Sequence, residues 1–271
     1  MPLPAPRTLS PSKVTSFTAC PLAFRLSLID HLPEPPSPQA VKGTLVHAAL
    51  ERLFWHHPAG SRTPAAAAAE LDRAWEDLAE DPEFTALELG PEEAETFRTD
   101  AAGLLERYFR LEDPDAVEPV GVELLLEAEI GGVRLRGIID RLDRRADGEL
   151  VVVDYKSGRA PSERHEQGRL VGVHVYALLC EQVLGQVPAE VRLLYLRDPV
   201  EVVARPTAQS LRGQRQRTLA VWAAIERACE REDFRPSPGP LCKFCGFQDY
   251  CPSFGGTPPV YGEPVPVALA S

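Results

Sequence analysis

Asp154 and Lys156 stand two residues apart in VVVDYKSG, a run whose β-branched residues predict a strand. Alternation along a strand sends both side chains to one face and Tyr155 to the other. The preceding predicted strand carries Asp140 in GIIDRLD. Between them, Ala146-Asp147-Gly148 reads as a three-residue hairpin loop with Gly148 in the left-handed position, which pairs Arg145 with Glu149 and sets Asp140 opposite Asp154. Cross-strand neighbours have Cβ atoms about 4.5–5.5 Å apart. Two carboxylates that close, in a sheet of Val, Leu and Ile, repel each other unless a cation lies between them or one is protonated. A hard divalent ion such as Mg2+ or Mn2+ resolves the conflict, because carboxylates are oxygen ligands. Lys156 on the same face would orient a water nucleophile or stabilise charge developing on a phosphoryl group. This is chemistry suited to phosphodiester hydrolysis. Taken singly, Asp140 and Asp154 could instead end their strands at solvent, paired with Arg141 or Arg144; the three residues in one register favour the metal site.

The elements that must hold this trio follow from periodicity. Val120 to Lys156 has period two, broken at Gly131-Gly132 and at Ala146-Asp147-Gly148, and predicts a three-stranded antiparallel meander. A helix over Ser162–Leu184, strands over Val191–Leu196 and Val200–Ala204 and a long helix over Thr207–Glu232 follow, an order that predicts a mixed sheet flanked by helices. On the N-terminal side, SPSKVTSFTACPLAFRLSLI reads as helix with Ser10 or Ser12 as N-cap and a bend near Pro21. After a proline-rich loop, Leu32–Pro38, the spacing of Leu45, Val46, Ala49, Leu50, Leu53 and Phe54 predicts an amphipathic helix from Gly43 to about His56. His47 lies on the margin of its apolar stripe, and neutral imidazole is a good Mn2+ ligand. Pro64–Asp113 reads as two or three surface helices inserted between this helix and the meander.

The 271 residues, 44% hydrophobic and 25% charged, suffice for one large or two modest globular domains and exclude a disordered or collagen-like chain. No window approaches the ~20 apolar residues of a membrane span, and the N-terminus lacks a signal peptide's apolar region; a cytoplasmic protein is expected. A net charge of −11 at first argues against a nucleic-acid partner, whose phosphates call for cations. Its distribution reverses that conclusion. Glu70 to Asp100 holds 12 acids and two arginines, so −10 belongs to the helical insertion and −1 to the other 240 residues. Arg205 to Arg217 holds four arginines and no acid, with Arg212 and Arg215 about one helical turn apart, a run suited to sequence-independent phosphate contacts. Lys13, Arg25, Arg159, Arg164 and Arg169 could extend such a surface, and the insertion is expected to face away from it or to screen it against unsuitable substrates.

Six cysteines are present, and in a reducing compartment clustered cysteines are metal ligands more readily than disulfides. Cys242, Cys245 and Cys251 form C-x2-C-x5-C within ten residues of a Gly- and Pro-containing segment, with Cys20 in ACPLAF as the candidate fourth ligand. Spacing alone admits zinc as well as iron–sulfur. Cys180 and Cys229 fall on apolar helix faces, as small hydrophobes.

GTLVHAALE, GIIDRLD and VVVDYKSG, in that order, resemble the RecB-like branch of the PD-(D/E)XK nuclease superfamily. The resemblance runs from ACPLAFRL to the last cysteine. It implies a restriction-endonuclease-like α/β core in a single nuclease domain over 1–251, with a helical insertion at about 58–115 and a loosely ordered tail over 252–271. It implies that His47, Asp140 and Asp154 ligate Mg2+ or Mn2+, with the Tyr155 carbonyl as a further ligand, and that Lys156 is the catalytic lysine. The implied activity is a DNA nuclease, an exonuclease by family, working in DNA repair or processing without sequence specificity on single strands or at ends. A helicase, repair or CRISPR partner is compatible with it, and no membrane is. The remote cysteine plus C-terminal triplet resembles the [4Fe–4S] clasp of nucleases related to the AddB subunit and the CRISPR-associated adaptation nucleases, with Cys20, Cys242, Cys245 and Cys251 as ligands. Family members carry Gln-Leu-x-x-Tyr on the next helix; here Tyr176 is present as a DNA-contacting candidate, but Gly172 stands at the glutamine position, with Gln167 or His174 as substitutes. That departure keeps open a second reading, a catalytically weak or inactive iron–sulfur DNA-binding subunit. A zinc-stapled hydrolase of another phosphoester is the third.

Overall fold

The computed structural model describes residues 2–160 and 163–263, and all their side chains except those of 163–173. The expectations for Arg164, Gln167, Arg169 and Gly172, and for 264–271 of the tail, lie outside these described parts. The chain folds as two compact units: Pro36–Ala128 with Gly137–Gln214, and Met1–Pro35 with Glu129–Arg136 and Arg215–Ser271. Among the described residues no helix is long and apolar enough to cross a membrane.

The elements in chain order are α1 (Pro11–Ala19), α2 (Pro21–Leu28), α3 (Pro38–His56), α4 (Pro64–Leu78), α5 (Pro82–Thr85), α6 (Pro91–Tyr108), β1 (Pro119–Ile130), β2 (Val133–Arg144), β3 (Leu150–Lys156), α7 (Glu163–Leu184), β4 (Glu190–Tyr195), β5 (Val200–Ala204) and α8 (Ala208–Arg231). Each of the first six helices begins on a proline, where the missing N–H costs no bond and the fixed φ suits the first turn. Ser10, Ser37, Thr63 and Asp81 cap four of them through side-chain oxygens. This explains one departure from expectation: α3 starts at Pro38, capped by Ser37, because the last proline of the apparent loop is the helix's first residue.

In the larger unit the strands form a five-stranded mixed sheet in sequence order, β1 to β5, an α/β fold consistent with a restriction-endonuclease-like core. β2 and β3 pair antiparallel, as do β4 and β5, whereas β3 and β4 are parallel and therefore need a crossover, which α7 supplies. The hairpin register is the expected one: the Arg145 amide donates to Glu149 O at 2.8 Å, and Gly148 has φ +86°. Val151, Val153, Tyr155, Leu194 and Leu196 pack against Leu45, Val46, Ala49, Leu50, Leu53 and Phe54 of α3 and against α4 and α6. Gly137 on β2 lets α7 come close; a Cβ there would lie 2.8 Å from Leu179 and 3.2 Å from the Tyr176 ring.

In the smaller unit α1 and α2 are separated at Cys20, whose extended backbone produces the bend expected near Pro21. The Leu22 amide donates to Arg235 O at 3.3 Å and the Leu3 amide to Cys229 O at 3.0 Å, tying the N-terminal segment to the end of α8. Leu22, Leu26, Leu32 and Phe247 form a small core bordered by Cys20, Cys245, Tyr250 and Cys251. Beyond it, Pro252–Phe254 form a short 3₁₀ helix, and the Pro259 carbonyl accepts from Arg25 Nη2 at 2.8 Å.

Candidate active site

The β2–β3 ladder runs from Arg144↔Leu150 to Arg141↔Val153. One step beyond, the Tyr155 amide donates to Asp140 Oδ2 at 2.7 Å, so the Asp140 side chain takes the hydrogen bond that a strand partner would otherwise accept. Asp140 and Asp154 are buried, at 8% and 4% exposure. His47 reaches them from α3: its Nε2 donates to the Tyr155 carbonyl at 3.1 Å, and Nδ1 lies 3.5 Å from Asp140 Oδ2. Because a carbonyl only accepts, Nε2 carries the hydrogen, and in the neutral ring Nδ1 keeps the lone pair that faces the carboxylate. Lys156 Nζ pairs with Asp154 Oδ2 at 2.5 Å.

One further carboxylate joins the site. Ligand atoms of His47, Glu123 and Asp140 all lie within 4.8 Å of one another. Glu123, on β1, has φ +46°, a left-handed conformation uncommon away from glycine. The signal that points to it is the Gly131-Gly132 turn, both residues of which have positive φ: a two-residue hairpin sets Ile130 opposite Val133, and counting back along the strands brings Glu123 beside Asp140. Glu51, one turn beyond His47, lines the same cavity as Thr44, His47 and Glu123.

The electrostatics of the cluster are those of uncompensated negative charge. Burial, then the charge of Asp154, push Asp140 up to about 6 against the opposing pull of His47 and the Tyr155 amide. Burial, then Asp140, Glu51 and Asp154, push Glu123 up to about 7. Tyr176, whose half-buried ring packs over Gly137 of β2, is raised by burial and then by the charges of Asp154, Asp140 and Glu123. Burial disfavours the Lys156 ammonium, yet the charge and hydrogen bond of Asp154, with Asp140, outweigh it and raise Lys156 above its usual value. A donor set of imidazole nitrogen and carboxylate oxygens carrying excess negative charge fits a divalent cation. Tyr155 turns its ring to the opposite face, as alternation requires, and its hydroxyl accepts from Arg141 Nη1 at 2.7 Å. Arg141 is fully buried and pairs with Glu112 and Asp143, on the far side of the sheet from Asp140 and Asp154, so the alternative pairing of Asp140 with Arg141 is not the one found.

A scan against protein families matches residues 8–252 to the PD-(D/E)XK nuclease superfamily. The chain belongs to that superfamily. Among curated proteins, the nuclease-family chain is similar to the Gene 69 protein of Mycobacterium phage D29, 27% identical over 267 residues with 90% of this chain and 96% of the relative covered. It is also similar to the Gene 69 protein of Mycobacterium phage L5, 25% identical over 287 residues with the same coverage. Among solved structures, a candidate exonuclease of Eubacterium rectale superposes with a TM-score of 0.58, at 13% identity, covering 96% of this chain and 91% of the other; that likeness is one of fold.

Cys20, Cys242, Cys245 and Cys251 line one small cavity of this PD-(D/E)XK protein together with Pro236, Ser237, Pro238 and Phe254. The Ser237 amide donates to Cys20 Sγ at 3.4 Å and the Gly239 amide to Cys242 Sγ at 3.2 Å. Burial, then the charges of the other three cysteines, raise the Cys245 thiol against the lowering hydrogen bond from Phe247. All four thiols are free of disulfides, while Cys180 and Cys229 are buried. Among the described residues, no three of the four sulfurs lie within the 4.8 Å that gathers His47, Glu123 and Asp140. The structure thus brings His47, Asp140, Asp154, Tyr155, Lys156 and Tyr176 to one place and the four cysteines to another. Arg212 and Arg215 lie on α8, the first exposed and the second half-buried.

Proposed function

We propose that the protein is a RecB-like, metal-dependent deoxyribonuclease that hydrolyses phosphodiester bonds from strand ends during DNA repair or processing. The observation that carries this reading is the half-buried His47–Glu123–Asp140 donor set next to the Asp154–Lys156 ion pair. His47, Glu123, Asp140 and Asp154 would hold Mg2+ or Mn2+, with the Tyr155 carbonyl as a further oxygen. When bound, the ion supplies Lewis-acid polarisation of the scissile phosphate. Lys156, kept protonated beside Asp154, balances charge developing on the phosphoryl oxygens and orients the attacking water. The Tyr155 amide fixes the Asp140 carboxylate, and Tyr176 offers a ring for a base or sugar of the bound strand. Exonuclease action and lack of sequence specificity rest on the motif resemblance and on charge, and Arg212 and Arg215 serve as phosphate contacts in this reading.

The four cysteines are proposed to hold a [4Fe–4S] cluster as a structural clasp.

Incubation of the purified protein with labelled single- and double-stranded DNA and Mn2+ or Mg2+ tests the main reading. The expected result is cleavage from ends that stops on chelation. Absence of cleavage on every substrate, or full activity in Asp154→Ala or Lys156→Ala, would overturn it, the first in favour of a non-catalytic DNA-binding subunit.

A further inference from the structure

Thr8, Leu9 and Ser10 lie beside the start of β2. The Leu9 amide donates to Arg134 O at 2.9 Å and its carbonyl accepts from the Arg136 amide at 2.8 Å, a parallel bridge between Leu9 and Leu135. Both leucines are fully buried, so alternation turns Thr8, Ser10 and Arg136 to the other side. On α1, the half-buried Lys13 folds back onto this edge, where Nζ donates to Thr8 O at 2.9 Å and Thr8 Oγ1 at 3.3 Å. These bonds use two of the three ammonium protons and hold the charge beside the exposed Arg136, whose charge, after burial, is the second cause pushing Lys13 below its usual value. Among the described residues neither cation makes an ion pair. Two like charges held together without an acid destabilise the fold, and a glutamate at position 136 would serve a purely structural Lys13 better.

We propose that Lys13 and Arg136 form a cradle for one backbone phosphate of a bound nucleic-acid strand. This inference rests on the nuclease reading and names one place where the strand is gripped. The contact is a charge-assisted bond to a phosphate oxygen, so it positions the strand and reads no base. It is a binding contact, separate from the carboxylates that act on the scissile bond.

The test measures anisotropy of a labelled single-stranded oligonucleotide with EDTA present, the full chain, and a series of salt concentrations. Arg136→Gln is expected to weaken binding severalfold and to make the slope of log Kd against log salt shallower by about 1. Lys13→Gln should do the same, while Arg98→Gln in the acidic insertion leaves both quantities unchanged. Arg136→Glu is expected to separate binding from folding: its carboxylate pairs with Lys13, so the thermal midpoint holds or rises while affinity falls further. In Mn2+, Arg136→Gln should raise KM with kcat retained. Wild-type affinity and slope in both Lys13→Gln and Arg136→Gln overturn the cradle and leave the nuclease reading standing. A wild-type protein that neither binds nor cleaves DNA overturns both.

Discussion

The Tyr155 amide donates to Asp140 Oδ2 at 2.7 Å, so a main-chain group of one strand fixes the carboxylate of the next at the point where their ladder ends. The same residue's carbonyl accepts from His47, and one residue thereby orients two proposed metal ligands. Asp140→Asn is expected to keep this bond, because the amide oxygen still accepts, and to lose the charge that attracts the cation. Its thermal midpoint should match or exceed wild type, since carboxylate repulsion is relieved, while cleavage in Mn2+ falls on the order of 10²-fold or more. Glu123→Gln should behave likewise. Melting curves beside single-turnover cleavage check both, and a variant with lost activity and a collapsed midpoint would instead mark Asp140 as structural.

Lys156 is paired with Asp154 in the cluster, and in the proposed site it does not ligate metal. Lys156→Gln is therefore expected to lower kcat on the order of 10²-fold with Mn2+ affinity equal to or above wild type, because removing a neighbouring ammonium favours a divalent ion. Titration calorimetry against turnover separates the two quantities. A parallel loss of metal binding and rate would assign Lys156 to building the site.

Beneath the site, Arg141 is fully buried and donates to Asp143, Glu112 and the hydroxyls of Tyr108 and Tyr155. Burial alone would raise Glu112, yet the charge and hydrogen bonds of Arg141, with Tyr108, leave it lowered. Arg141→Met keeps the volume but strands two buried carboxyls, and breaking a buried pair from one side costs about 3–5 kcal/mol. Chemical denaturation should show that loss, and the double variant Arg141→Met with Glu112→Gln should recover part of it.

Glu70 on α4 is buried at 0% exposure and contacts His57 at 2.9 Å, His56 at 3.4 Å and Arg73. Burial pushes its carboxyl up, but hydrogen bonds from His57 and His56, with the charges of Arg73 and His56, leave it below its ordinary value of 4.5. A folded-state value below the unfolded one means stability that is present above about pH 4.5 and lost as pH falls through the lowered value. Glu70→Gln should therefore have a lower thermal midpoint than wild type at pH 7, and the gap should close as the pH falls below 4.5. A gap independent of pH would show that Glu70 acts by packing alone.

The β2–β3 hairpin is legible in the sequence because Gly148 and a three-residue loop fix its register, and with it the meeting of Asp140 and Asp154 near Lys156. Glu123 is not legible in the same way: among the acids of β1 it looks like a solvent-facing residue, and only the second hairpin, at Gly131-Gly132, brings it to Asp140. Position in the chain makes Arg141 a candidate partner of Asp140, whereas its side chain enters the helix-covered face to meet Glu112, an acid 29 residues away in sequence that no local pattern links to it. Apolar spacing starts α3 at Gly43, yet the helix begins at Pro38, since a proline-rich stretch gives the same composition to a loop and to a helix's first turn.

The four cysteines carry a prediction that spectroscopy decides. Cys20 precedes Cys242 by more than two hundred residues, yet both line one cavity with Cys245 and Cys251, and amides of Ser237 and Gly239 already point at two of the sulfurs. Bonds of this kind stabilise thiolate ligands, as outer hydrogen bonds do at metal–sulfur centres generally. Protein prepared without oxygen is expected to be brown, with iron and acid-labile sulfide in equal amounts. Cys245→Ala should bleach it and open both the segment before α2 and the segment after α8 to limited proteolysis, because each then loses its covalent anchor to the other. DNA cleavage is expected to fall only as far as the fold loosens, since hydrolysis calls for no electron transfer. A colourless protein with one zinc per chain would replace the cluster by zinc and keep the clasp, whereas a metal-free protein with unchanged protease resistance would remove the clasp altogether.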